Sequence, residues 1–336
     1  MEDIRTESFR RNDYLEEMLK DINSILAVPE QEIIVPDQQR FPIIFVVGSL
    51  RSGTTLMTQW LASSGEIAYP SNMLSRFYEA PIIGAKIQRL LTDPKYNFRN
   101  EILDFNSKQN FQSENGKTKG ALSPNEFWYF WRRFLHFPDD VDYLPDKELL
   151  DTSDWRTMKK EFIGITEVFE KPFGLKGMIC NYNIGFLNQV FEKAVFIYTK
   201  RNPYTNLESV LKAKERQHGD INRWFSFRIP EYKRLLQMND PLKQAAGQIY
   251  HINQSIQKGL ELIDDSRKMV VQYEDFCADP SKYYNQLVDI LSAQGCEIRR
   301  EYHGESQFAI SRTETDPKLV SCYDEYVRDY ENRILK

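Results

Sequence analysis

The sequence predicts an α/β fold with a central, mainly parallel sheet flanked by helices. Three observations carry that expectation. The apolar run Phe41 to Gly48 reads as a buried strand, and Gly48 and Gly53 then stand at the GxxxxG spacing of a turn that holds oxyanions on backbone N–H groups and a helix N-terminus. Further apolar runs at 173–179, 194–199 and 269–273 alternate with segments of helical periodicity, the pattern of parallel strands joined by right-handed crossovers. Finally, 336 residues with 41% apolar and 13% aromatic content supply the core of one large domain. The expected organisation is an N-terminal helix and linker over 1–40, then a single domain over 41–336 with an insertion around 70–155.

In chain order, Leu15, Met18, Leu19, Ile22, Ile25 and Leu26 recur at helical spacing, which predicts an amphipathic helix over 10–27 ahead of a proline-containing linker, 28–42. Strand 41–48 is apolar nearly throughout, as a strand covered on both faces should be. Leu56, Met57, Trp60 and Leu61 give the next helix a buried stripe. Residues 86–119 turn polar and read as a loop-rich insertion of the kind that shapes binding pockets. Glu126 to Leu135 reads as an aromatic helix with a basic face, and 139–154 as an acidic, turn-rich stretch. Residues 185–192 and most of 204–262 are expected to be helical. Asp279-Pro280 is a helix start, with Asp capping and Pro in the first turn.

A net charge of −5 argues against nonspecific binding to nucleic acid or an anionic membrane. Cys180, Cys277, Cys296 and Cys322 show no CxxC or Cys/His spacing, so reduced structural thiols are expected and no metal site. The first residues lack the apolar stretch of a signal peptide, and no run approaches the roughly 18 apolar residues of a membrane span. The expected location is cytoplasmic.

The turn at 48–53 departs from that of a nucleoside-triphosphatase. Such an enzyme places Lys after the second glycine to reach the β- and γ-phosphates, whereas position 54 is Thr and the nearby cation is Arg51, inside the loop. Arg51-Ser-Gly-Thr-Thr-Leu56 resembles the 5′-phosphosulfate loop of sulfotransferases that use 3′-phosphoadenosine 5′-phosphosulfate (PAPS). Val195 to Pro203 followed by Ser209 is similar to the family's 3′-phosphate motif, a strand ending in Arg with a Ser eight residues on. Val270 to Asp275, then Asp279-Pro280, is similar to its third strand and following helix. These landmarks span roughly Phe41 to Leu291.

The resemblance implies the P-loop NTPase-like sulfotransferase fold of a soluble, bacterial-type member. It further implies PAPS as co-substrate, 3′-phosphoadenosine 5′-phosphate (PAP) as product, no metal, and transfer to a hydroxyl or amine of a small-molecule, lipid or carbohydrate acceptor. Carried over position by position, Arg51, Ser52, Gly53, Thr54, Thr55 and Leu56 form the 5′ loop, with Arg51 as the cation beside the bridging oxygen. Arg201 and Ser209 grip the 3′-phosphate, an Arg fork aided by a neutral donor. Tyr273 lies near the adenine. The family's C-terminal Arg-Lys-Gly element is missing, and Arg312 is the candidate for its role.

Lys176 places a cation near the C-terminal edge of an otherwise apolar strand, where open α/β sheets bind ligands. It reaches the transferred sulfonate or snorkels to solvent. For the base that takes the acceptor's proton, the family uses a His or a Glu, and neither motif is reproduced. His136 follows the aromatic helix, His218 sits in a charged segment, and His251 and His303 have no identifiable partner, so each reads as structural or surface. Glu126, before an aromatic run able to wall off a desolvated pocket, ranks first and Glu79 second. Phe127, Trp128, Phe130 and Trp131 suit an apolar or sugar-stacking acceptor, or are core. Two other readings stay open: a P-loop kinase with Glu274 and Asp275 as Mg-binding carboxylates, and a catalytically silent nucleotide-binding relative. The oligomeric state is open, a homodimer included.

Overall fold

The structure is a computed structural model and describes residues 5–99, 101–103, 105, 111–310 and 316–334. After a 3-10 turn, Glu7–Phe9, the chain forms α1 (Asp13–Gln31), enters β1 (Ile43–Gly48) and turns through 49–53 into α2 (Thr54–Ser63). Next come α3 (Pro81–Thr92), the hairpin strands β2 (Ser113–Glu114) and β3 (Lys117–Thr118), α4 (Trp128–Phe134), α5 (Asp146–Thr152) and α6 (Trp155–Phe169). The second half runs β4 (Phe173–Lys176), α7 (Ile184–Val190), β5 (Ala194–Lys200), α8 (Pro203–His218), α9 (Tyr232–Leu236) and α10 (Pro241–Leu260). It ends with β6 (Lys268–Gln272), α11 (Tyr273–Ala278), α12 (Pro280–Ala293) and α13 (Pro317–Ile334).

The main sheet has the order β4-β1-β5-β6 with every pairing parallel. From β1 the chain moves to one side to form β4 and then to the other for β5 and β6, so the winding reverses at β1. Ligands of open α/β sheets bind outside the strand C-termini at such a reversal. The register brings those ends level, pairing Val46 with Lys176, Gly48 with Thr199 and Lys200 with Gln272. Side chains of β1 alternate between two cores. Ile43, Phe45 and Val47 pack with Phe162, Phe191 and Phe196 on one face, while Ile44 and Val46 pack with Met57, Trp60 and Leu287 on the other. Burial on both faces explains why the strand reads as an unbroken apolar run.

Several elements differ from the sequence reading. The first helix does not stop at 27 but continues through Pro29 to Gln31. Tertiary anchoring offsets the lost backbone bond: the buried Glu30 carboxylate accepts from the amides of Ile82 and Ile83, which start α3, at 2.7 and 3.0 Å. Asn23, also buried, donates to the Arg76 carbonyl and accepts from the Glu79 amide, so α1 packs on its own domain. The polar stretch 86–119 is helical to Thr92 and forms the β2–β3 hairpin at 113–118. The apolar run beginning at Phe173 leaves the sheet at Lys176 and passes into a 3-10 turn, Met178–Cys180. Tyr273 opens α11 instead of ending a strand. Residues 219–231 interrupt the helical stretch between α8 and α9.

Candidate active site

The 48–53 loop is held from behind by two carboxamides that no motif announces. Asn181 spans the Gly48 peptide, donating to its carbonyl at 2.8 Å and accepting from its N–H at 3.3 Å. Asn206, one turn into α8, accepts from the Ser49 hydroxyl at 2.6 Å and donates to the Leu50 carbonyl at 2.5 Å. Both are buried. Isolated asparagines carry no spacing signature, which is why sequence reasoning passes over them.

Both loop glycines are sterically required. A Cβ on Gly48 would lie 2.4 Å from Thr199 Oγ1 and 2.8 Å from the Thr199 carbonyl. Gly53 caps α2 with φ +101°, and a Cβ there would lie 2.3 Å from the Tyr273 ring. The first-turn amides of α2 point out of its N-terminus with no intrahelical acceptor, as at any helix start. Ser52 Oγ shares a hydrogen bond of 3.0 Å with Thr199 Oγ1, and the Thr54 hydroxyl turns inward to the Met178 sulfur at 3.3 Å. Leu56 is half-buried on the α12 side of the sheet. Of the loop hydroxyls, Thr55 is the one that meets a cation, accepting from Lys176 Nζ at 2.7 Å.

Arg51 sits at the centre with φ +60°. Its Nε donates to Ser209 Oγ across 3.4 Å, and its carbonyl accepts from Arg201 Nη1 at 3.0 Å. Three residues named from separate parts of the sequence thus converge. Burial, then the Arg216 and Arg201 guanidinium groups, holds Arg51 below the ordinary arginine value, although Glu126 and Tyr273 oppose this. A cluster of guanidinium groups around one loop favours an anion. The Arg201 fork lies 4.7 Å from the Tyr273 ring centroid, and its Nε is buried without a hydrogen-bond partner. Burial, with the Cys277 thiol, pushes the Tyr273 hydroxyl up to about 12. Glu208 pairs with Lys212.

On the other side of Thr55, Lys176 Nζ also donates to Glu126 Oε1 at 2.6 Å, and Glu126 Oε2 accepts from the Trp128 indole N–H at 2.5 Å. Phe127, with φ +59°, turns the chain so that α4 begins only at Trp128 and Glu126 stays at its entrance. A cavity lined by Glu126, Trp128, Trp131, Lys176, Met178 and Ile179 opens beside the pair. Phe127, Phe130 and Trp131 are buried and belong to the core, whereas Trp128 is partly exposed. Glu79 is placed elsewhere, on the turn against α1. Arg312 lies outside the described residues.

Among the remaining candidates, His136 is exposed, and both ring nitrogens of His218 are buried without a hydrogen-bond partner. His251 bonds to the Tyr326 hydroxyl and Arg234, and His303 pairs with Glu301. Glu274 accepts from the Asn202 amide and the Gln272 side chain. Among the described residues no three His, Cys, Asp or Glu side chains converge as a metal site, and no helix is long and apolar enough to cross a membrane.

A profile of the sulfotransferase family matches residues 42–294, three quarters of the chain. The chain belongs to the sulfotransferase family. The match begins one residue before β1 and ends just after α12, so it contains the loop, Glu126, Lys176, Arg201, Ser209 and Tyr273. This family member is similar, at 24% identity over 262 residues, to the omega-hydroxy-beta-dihydromenaquinone-9 sulfotransferases Stf3 of Mycobacterium bovis and Mycobacterium tuberculosis. The alignment takes in 74% of this chain and 62% of theirs, so it spans about three fifths of the length of those relatives. Among solved structures, sulfotransferase STF9 from Mycobacterium avium aligns with 18% identity and a TM-score of 0.49, over 98% of this chain and 87% of that one. STF1 from Mycobacterium tuberculosis H37Rv aligns with 15% identity and a TM-score of 0.48, over 84% and 73%.

Proposed function

We propose that the protein transfers the sulfuryl group of PAPS to a hydroxyl or amine of a small acceptor, leaving PAP. The observation that carries this reading is the meeting of Arg51, Arg201 and Ser209 beside the phosphate-binding turn, with Arg201 Nε buried and unpartnered. A second anionic group beyond the loop answers that arrangement, and a 3′-phosphate is such a group.

In this reading the α2 N-terminus and loop amides hold the 5′-phosphate. Arg51 stabilises charge on the oxygen that the S–O bond leaves behind, and Arg201 with Ser209 holds the 3′-phosphate while Tyr273 flanks the adenine. Lys176, between Thr55 and Glu126, faces the equatorial sulfonate oxygens. The acceptor oxygen bonds to sulfur as its proton passes to a carboxylate, for which Glu126 at the cavity mouth is the candidate and Glu79, against α1, the reserve. Trp128, Met178 and Ile179 put apolar surface beside the pair, but the space they enclose holds no more than about one water, so a ring-bearing acceptor of the kind named for the relatives, a hydroxylated menaquinone, would need the site to open. Residues 41–336 would form one catalytic domain, with 70–155 shaping the acceptor side. A cytoplasmic location accords with PAPS as donor.

The kinase alternative relies on Glu274 and Asp275 as Mg-binding carboxylates, and the Lys that such an enzyme places after the second loop glycine is Thr54 here. Thermal stabilisation decides between them: PAP raises the melting temperature more than ATP with Mg²⁺ if the proposal holds, and the reverse order refutes it.

A further inference from the structure

The β2–β3 hairpin crosses the mouth of this site. Its tip is Asn115-Gly116, with φ +47° and +91°, the two positive values a type I′ turn requires and the Asn-Gly pair most often supplies. Gly116 lies directly on the candidate base: a Cβ there would be 2.8 Å from Glu126 Oε1 and 3.6 Å from Lys176 Nζ. Asn115 reaches the opposite wall, where its Nδ2 donates to the Ala213 carbonyl of α8 across 3.4 Å. The tip therefore bridges from Glu126 to α8, the helix that carries Ser209.

The hairpin is held unevenly. At its base, Asn72 Nδ2 donates to the Gly120 carbonyl at 2.9 Å and to Thr118 Oγ1 at 3.1 Å, and Thr118 Oγ1 donates to the Pro124 carbonyl at 2.7 Å. At its tip the Asn115 bond is long, and Asn115 Oδ1 is buried with no partner. Lys117, next to the tip, also lies over the Phe9 ring at 4.7 Å. The part of the tip that faces the site, Asn115 and Gly116, is thus the part with one long hydrogen bond, the arrangement of a flap that opens about its own strands.

We propose that the hairpin is the closing element of the transfer site, with Asn115 as its latch on α8 and Gly116 as the surface that fixes the Glu126 carboxylate and excludes water. The idea rests on the reading of PAPS as donor and Glu126 as base. Exclusion matters because water is a competing acceptor: its oxygen bonds to sulfur, the S–O bond to the 5′-phosphate breaks, and PAP, sulfate and a proton leave. Gly116 keeps the tip thin enough to lie on the carboxylate, and Asn115 Oδ1 is left to accept from a hydrogen-bond donor on the bound acceptor.

Asn115→Gly is the first test, because glycine tolerates the positive φ and removes the carboxamide; since it also loosens the backbone, the latch is read from Asn115→Asp as well. Hydrogen exchange on the unliganded protein should show the amides of 113–118 opening about fivefold faster, the worth of one neutral hydrogen bond, with β1 and β5 unchanged. With PAPS and no acceptor, PAP release should rise by a similar factor while PAP affinity stays within about twofold. Asn115→Asp, which keeps the oxygen and loses the donor, should behave like Asn115→Gly. Unchanged tip exchange would overturn the latch, and faster exchange without faster PAP release would overturn water exclusion. If the wild-type protein neither binds PAP nor cleaves PAPS, the donor reading fails and water exclusion with it, and exchange alone decides the latch.

Discussion

Lys176 Nζ donates to Glu126 Oε1 across 2.6 Å, joining the last residue of β4 to the residue that leads into α4. The same ammonium donates to Thr55, so one buried cation links the donor loop to the candidate base. Glu126→Gln keeps the shape and one of the two accepted hydrogen bonds, since its amide nitrogen cannot accept from Lys176 or Trp128, and it cannot take a proton. Turnover should fall roughly 10²–10⁴-fold with PAP affinity intact. Near-normal activity in Glu126→Gln together with a loss in Glu79→Gln would move the role to Glu79.

Arg51→Ala should depress kcat more than donor affinity. The argument is differential binding: charge on the leaving oxygen grows as the S–O bond breaks, so a guanidinium placed there acts mainly on the transition state. Steady-state kinetics with unchanged kcat and a raised donor KM would reduce Arg51 to a docking residue.

Gly53→Ala combines a left-handed φ of +101° with a Cβ 2.3 Å from the Tyr273 ring. The strain should cost about 1–3 kcal/mol of stability. Because Tyr273 also faces Arg201, donor affinity should fall as well. Denaturant titration that finds the variant as stable as the wild type would show that the loop relaxes freely.

Acid should weaken the fold through His251. Burial, then the Arg234 guanidinium, lowers its pKa to about 3, against 6.5 when unfolded. A depressed pKa gives stability that is present above 6.5 and lost as pH falls toward 3, because only the unfolded chain then takes the proton. The loss should reach about 2 kcal/mol by pH 5. Glu231, 3.8 Å from Nδ1, offsets part of it. Urea midpoints at pH 7.5 and 5 should separate wild type from His251→Gln, which lacks this titration; equal losses would contradict the assignment.

What the sequence disclosed and what it hid follow from the range of each interaction. The strands of the sheet, the glycine turn and the Asp279 cap were legible because period, spacing and capping are local. Arg51, Arg201 and Ser209 were legible one by one, but their meeting depends on the β1–β5 register. Asn181 and Asn206 gave no signal, since a carboxamide that braces a loop 133 or 157 residues away looks like any other asparagine. The continuation of α1 past Pro29 was hidden for the same reason, its anchor being Glu30 on the start of α3. The Asn115-Gly116 turn was a local signal within reach, obscured by the polar residues around it.

The 3′-phosphate clamp tests the account most directly. Charge-assisted hydrogen bonds contribute about 1.5–3 kcal/mol each, so PAP should bind at least tenfold more tightly than AMP. In calorimetric titration the account predicts that preference in the wild type and its disappearance in Arg201→Ala, with AMP affinity nearly unchanged. Equal affinities of the wild-type protein for PAP and AMP would contradict it.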